Sequence, residues 1–184
     1  MSFKILITGP PRCGKSTLIR KLIDRLKEKY MLYGFLTPEV RKNGKRIGFD
    51  IKDINSSKII PLARKGNYNS EFTLGSYKVF IEKFDTFLSK SMVTLRGIKG
   101  DPNHSKPSLL IIDEIGKMEL FSELFQSKLK EIFTSNLSVI GTIGKGMNQP
   151  IKEFILNIPE IKLFSLTRNN QKDIFEKIMQ ITKE

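Results

Sequence analysis

The sequence predicts an α/β fold: a mainly parallel sheet flanked by helices, with an added antiparallel hairpin. Three observations carry this. Phe3, Ile5, Leu6 and Ile7 make a short apolar run that leads into Gly9-x-x-x-x-Gly14-Lys15-Ser16, and a helical pattern begins at once. A second apolar run, Leu109 to Ile112, ends in Asp113-Glu114. Elsewhere strand-like and helix-like stretches alternate, as a parallel sheet covered on both faces requires.

Each element has its own signal. Leu18, Ile19, Leu22, Ile23 and Leu26 recur at helical spacing and predict a helix over 15–29 with one buried stripe. Residues 31–37 suit a buried strand that Pro38 limits. Asn43-Gly44 is a hairpin-turn pair, and beyond it Ile47, Phe49 and Ile51 alternate with polar residues as in a half-buried antiparallel strand. Residues 58–63 add a short strand, 64–76 read as a loop, and Val79, Phe80, Phe84, Phe87 and Leu88 predict a helix over 77–93. Residues 97–108, with Gly97, Gly100, Pro102 and Pro107, read as an exposed connection; the one histidine, His104, lies there with nothing to fix it. After the 109–112 strand, a helix runs from Leu120 to Phe133. A strand over 137–143, a short helix over 150–157, a strand over 161–166 and a helix over 170–182 complete the chain.

The bulk properties narrow the function. A chain of 184 residues fits one domain over 1–184 with a proper core. No apolar run is long enough to cross a bilayer, and the N-terminus enters the first strand directly, so neither a membrane span nor a secretory leader is expected. A single cysteine, Cys13, excludes an internal disulfide framework and fits a cytoplasmic protein. The excess of 32 basic over 19 acidic residues raises the question of nucleic acid. The basic residues are scattered, however, and nucleic-acid binding is not favoured. The 13 phenylalanines sit at helix or strand spacing and read as core rather than as base-stacking platforms.

The chemistry is concentrated in two places. A glycine-flanked loop points backbone N–H groups at a phosphate, and the helix behind it adds its positive end. Gly9, Pro10, Pro11, Arg12, Cys13, Gly14, Lys15, Ser16 and Thr17 are therefore expected to hold a nucleotide's phosphates. Lys15 reaches the β- and γ-phosphates, and Ser16 ligates Mg²⁺. Asp113, a carboxylate at the end of a buried strand, is the second expected Mg²⁺ ligand. Glu114 beside it is placed to polarise a water for in-line attack on the γ-phosphate, which favours hydrolysis over transfer to an acceptor. Arg12, Arg41, Arg168 and Lys117 are candidate cations for transition-state charge, with no basis for choosing among them. Cys13 reads as a small buried filler. Two alternatives stay open: a nucleotide or nucleoside kinase, and a nucleic-acid-associated factor for which turnover is a switch.

The run 109–122, Leu-Leu-Ile-Ile-Asp-Glu-Ile-Gly-Lys-Met-Glu-Leu-Phe-Ser, resembles the small nucleoside-triphosphatase family first described from thermophiles, whose animal members are called cancer-related nucleoside triphosphatases. The segments Gly34–Arg41, Arg46–Asp50 and Gly75-Ser76-Tyr77 resemble it too, so the likeness spans nearly the whole chain. The resemblance implies a RecA-like P-loop fold and Mg²⁺-dependent hydrolysis of ATP, GTP, CTP and UTP to diphosphates with little choice among bases; the chain is expected to act as a monomer. There are two departures. Arg12 stands where the family usually has glycine, and Asn170-Gln171-Lys172-Asp173 replaces a C-terminal Asn-Arg-Asp.

Overall fold

A computed structural model describes residues 2–91, 106–144 and 150–183. His104, residues 97–105 of the expected connection and residues 92–93 of the expected helix lie outside them. A ten-stranded sheet runs through the molecule. Its parallel part has the order β10 (Ile161–Ser165), β1 (Lys4–Gly9), β9 (Ser138–Gly144), β8 (Ser108–Ile115), β2 (Met31–Leu36). An antiparallel part continues from β2 through β4 (Lys45–Asp53), β5 (Ile59–Lys65), β7 (Tyr77–Val79) and β6 (Phe72–Leu74), and β3 (Glu39–Lys42) pairs with β4.

The apolar runs are buried on both faces because alternate residues serve opposite cores. Leu6, Leu110, Ile112 and Val139 join a cluster with Phe35, Phe84 and Phe125. Ile5, Ile7, Leu109, Ile111 and Ile140 join a second cluster with Leu18, Leu22, Ile174 and Ile178. The helices follow this division. α2 (Ile81–Ser91), α3 (Glu123–Thr134) and α4 (Pro150–Leu156) supply residues to the first core, while α1 (Lys15–Leu26) and α5 (Gln171–Ile181) supply the second. Phe35 is the hub of the first core, with its ring 5.5 Å from Phe84, 6.0 Å from Phe87 and 5.8 Å from Phe125.

The buried Lys4 ammonium joins β1 to the end of α3, donating to the carbonyls of Ile132 at 3.0 Å, Ser135 at 2.6 Å and Leu137 at 2.8 Å. It thereby satisfies carbonyls that the helix end leaves free. The Asn43-Gly44 hairpin forms as the sequence indicates, with φ 50 and φ 73 at its two turn residues.

Two expectations are corrected here. The 64–76 segment is not a plain loop, since β5 extends to Lys65 and 72–74 is a strand. The helix expected from residue 77 begins at Ile81, and Tyr77–Val79 pairs with both β5 and β6. Tyr77 and Val79 are both buried, as strand alternation demands, whereas the helical pattern fitted Val79 equally well. Gly75-Ser76 turns the chain between β6 and β7. Smaller shifts concern α1, which stops at Leu26, and α3, which starts only after Ser122 caps it by accepting from the Phe125 N–H. Leu120 and Phe121 lie in the preceding 3-10 turn.

Candidate active site

Parallel pairing brings the C-terminal ends of β1, β8, β9 and β10 to one edge of the sheet, where an open α/β sheet keeps its binding crevice. The loop after β1 enters α1 through Gly14 in the left-handed conformation, φ 102, and the Leu18 N–H donates to the Gly14 carbonyl at 2.9 Å. Pro10, Pro11, Arg12, Ser16 and Thr17 are exposed, Gly14 and Lys15 are half-buried, and Gly9 is buried. Cys13 is 3% exposed within the second core, so it is the filler expected. Arg12 takes φ 62, which explains why glycine suits this position better, and its side chain faces solvent. Lys15 Nζ lies over the loop, donating to the Gly9 carbonyl at 3.3 Å.

Asp113 is almost fully buried at the end of β8. Its Oδ1 accepts from Thr142 Oγ1 at 2.9 Å, and the Ser16 side chain hydrogen-bonds it as well. Burial pushes this carboxyl above the ordinary carboxylate range, opposed by those two hydrogen bonds and by the charges of Lys15 and Arg20. The two expected Mg²⁺ ligands, Ser16 and Asp113, are thus together. Glu114 is half-buried beside them, and its N–H donates to Thr37 Oγ1 at 3.2 Å. Burial raises its carboxyl too, Lys15 pulls it back, and Asp113 adds to the rise.

Behind this pair lies a third carboxyl. Glu119, only 4% exposed, is pushed up to about 8 by burial, with Glu114 and Asp113 adding to the rise, while its own N–H and that of Gly116 oppose it. At neutral pH it is therefore protonated.

The segment between β10 and α5 braces the loop from the other side. Leu166 N–H donates to the Thr8 carbonyl at 2.7 Å, and Gln171 Nε2 donates to the Cys13 carbonyl at 2.9 Å. Next to the loop, between α1 and α5, opens a cavity of ≈ 530 Å³ lined by Leu18, Lys21, Arg168, Asn169 and Phe175 among others.

The other candidate cations are dispersed. Arg41 is held by Glu39 on the β3–β4 hairpin at 2.6 Å, Arg168 lines the cavity, and Lys117 is exposed beyond β8. Thr37, Thr142, Glu119 and Gln171 escaped the sequence reading. A signal existed for Thr142, a hydroxyl inside the apolar strand Val139–Ile143, and for Glu119, an acid amid Met118, Leu120 and Phe121. For Thr37 and Gln171 only the fold reveals the contact.

A glycine-flanked loop between strand and helix, a buried carboxylate on a neighbouring parallel strand and this strand order define a P-loop NTPase fold. The family model described as NTPase matches residues 4–179, and the chain belongs to that family. It is 36% identical to the mouse cancer-related nucleoside-triphosphatase homolog, over 100% of this chain and 98% of that one. It is also 36% identical to the nucleoside-triphosphatase THEP1 of Thermotoga maritima, over 98% and 95% respectively. The crystal structure of THEP1 from Aquifex aeolicus superposes with a TM-score of 0.85 at 33% identity, covering 99% of this chain and 100% of that chain. The solution structure of a human cancer-related nucleoside triphosphatase gives 0.78 at 32% identity, covering 98% and 97%.

Proposed function

We propose that this protein hydrolyses the β–γ bond of nucleoside triphosphates, releasing phosphate, with broad tolerance of the base. The observation that supports hydrolysis most directly is Glu114, a carboxyl raised by burial directly after the buried Asp113 and within electrostatic reach of Lys15. A raised carboxyl is a stronger base than a solvated one, and a positioned general base contributes roughly 10²–10⁴-fold in rate. Glu114 takes the proton of the attacking water as oxygen bonds to the γ-phosphorus and the bridging P–O bond breaks toward the diphosphate. Residues 9–17 cradle the phosphates. Lys15 exchanges the Gly9 carbonyl for phosphate oxygens and offsets their charge.

The Ser16 hydroxyl and Asp113 carboxyl form a paired set of hard oxygen donors beside Lys15, which suits Mg²⁺, an ion that keeps few protein ligands and takes phosphate and water for the rest. Ser16 and Asp113 would hold Mg²⁺ there, and the ion would supply positive charge to offset that of the phosphates.

Base tolerance has its own support. The cavity beside the loop offers space for a base and ribose, and Leu18 and Phe175 give it apolar walls. Sharp discrimination needs hydrogen-bonding groups that a wrong base leaves unpaired. Two amides of this segment are already occupied: Gln171 donates to Cys13, while Asn170 accepts from the Thr167 N–H at 2.8 Å and donates to the Ser165 carbonyl at 3.0 Å.

The test follows the γ-phosphate of labelled ATP, GTP, CTP and UTP with Mg²⁺, with and without a mixture of nucleosides and nucleoside monophosphates. Free phosphate from all four, unaffected by acceptors, is expected. Label on an acceptor with little free phosphate would make the protein a kinase.

A further inference from the structure

We propose that Glu119 is a positioning residue that holds the Glu114 carboxyl toward the phosphate loop. This rests on the hydrolase reading above and adds a residue to it. The two side chains border the same side of Gly116. A Cβ built there would meet Glu119 Oε2 at 2.7 Å and Glu114 Cγ and Cδ at 3.6 and 3.7 Å. A methyl there would crowd the end of the Glu119 side chain while touching Glu114 at ordinary van der Waals distance.

The Glu119 carboxyl is held in turn. Its own N–H and that of Gly116 lie close enough to favour its charged form. The turn that carries it is closed by Leu120 N–H to the Gly116 carbonyl at 3.1 Å, Phe121 N–H to Met118 at 3.3 Å and Ser122 N–H to Glu119 at 3.1 Å. Ser122 is fully buried, and its hydroxyl hydrogen-bonds the Asp85 carboxylate of α2 as well as capping α3. Hydrogen bonds therefore tie α2 and α3 to the turn that carries Glu119, and Gly116 at the start of that turn is bordered by Glu114 as well.

A buried carboxyl is a costly way to fill space, since a leucine or methionine would pack there without desolvating a polar group. No lysine or arginine among the described residues forms a salt bridge with Glu119. The two N–H groups close to it lie inside a turn that main-chain hydrogen bonds already close. What a carboxyl adds at this point is a polar surface of fixed shape behind Glu114, turned to the same side of Gly116. A base displaced by about 1 Å can lose on the order of 10²-fold in rate.

The experiment compares Glu119→Gln, Glu119→Ala and Gly116→Ala with wild type for kcat, KM, Mg-nucleotide binding and melting temperature. Glutamine keeps the shape and an accepting oxygen, so kcat within about threefold of wild type is expected. Glu119→Ala should lower kcat about 10- to 100-fold with KM and nucleotide binding held. Gly116→Ala should do the same by displacing the Glu119 carboxyl. The double variant should be no worse than Glu119→Ala, because the atom that the new methyl meets is gone. A Glu119→Ala enzyme that keeps its kcat would overturn the proposal while leaving the hydrolase reading intact. Loss of binding and melting temperature in parallel with kcat would overturn it too, by making Glu119 purely structural. A wild type that releases no phosphate would overturn the hydrolase reading and this proposal together.

Discussion

Gln171, the first residue of the last helix, reaches back across the whole chain to the phosphate loop and donates from Nε2 to the Cys13 carbonyl 2.9 Å away. That contact fixes the peptide leading into Gly14, in the loop proposed to hold the phosphates. Gln171→Ala removes one neutral hydrogen bond, so a stability loss of roughly 1 kcal/mol is expected. The larger effect should fall on KM, raised several-fold for all four triphosphates, with kcat changed less. Steady-state kinetics with each nucleotide check this.

Thr142 bears on the proposed metal site. Its hydroxyl orients the Asp113 carboxylate from inside β9, and loss of such a supporting hydrogen bond usually weakens a metal site by about 10- to 100-fold. Thr142→Val, which keeps the shape, should raise the Mg²⁺ concentration for half-maximal activity by about tenfold, and Thr142→Ser should restore it. A Mg²⁺ titration at saturating nucleotide measures both. An unchanged midpoint in the valine variant would remove Thr142 from the site.

Glu119 makes stability depend on pH in a definite sense. Its ordinary value is 4.5, and in the folded state it is pushed up to about 8. Below 4.5 both folded and unfolded chains carry the proton. As pH rises, the unfolded chain loses it first, so stability falls across the interval from 4.5 to 8 and levels off above. Glu119→Gln cannot titrate. Its stability advantage over wild type should grow through that interval to on the order of a few kcal/mol. Denaturant unfolding of both proteins at several pH values tests this, and parallel profiles would contradict it.

Lys4 separates scaffold from site. It lies one strand's length from the phosphate loop, and its ammonium closes α3 against β1 in the contacts described above. Lys4→Met leaves three buried or half-buried carbonyls without that donor, and a loss of roughly 2–4 kcal/mol is expected. Activity per folded molecule should stay at the wild-type level when assayed well below the melting temperature.

Much of this was legible in the sequence because it is local. The loop, the carboxylate pair at the end of β8 and the stripes of α1 and α5 are each written in a few consecutive residues whose spacing has one good solution. The Tyr77–Val79 strand was missed because Val79 and Phe80 satisfy helical and strand spacing alike, and only pairing with β5 and β6 decides between them. The contacts of Thr142 with Asp113, Thr37 with Glu114 and Gln171 with Cys13 join residues far apart in the chain. No single-sequence pattern encodes them, for they arise once the sheet order sets β8 beside β9 and β2, and β10 beside β1.

The most direct test of the account is phosphate release by Glu114→Gln alongside binding of a fluorescent Mg-nucleotide. Glutamine keeps the shape and removes the base. Release should fall about 10²- to 10⁴-fold while affinity stays within a few-fold of wild type. Release at the wild-type rate with binding intact would show that Glu114 does not activate the water, and the central claim would fail.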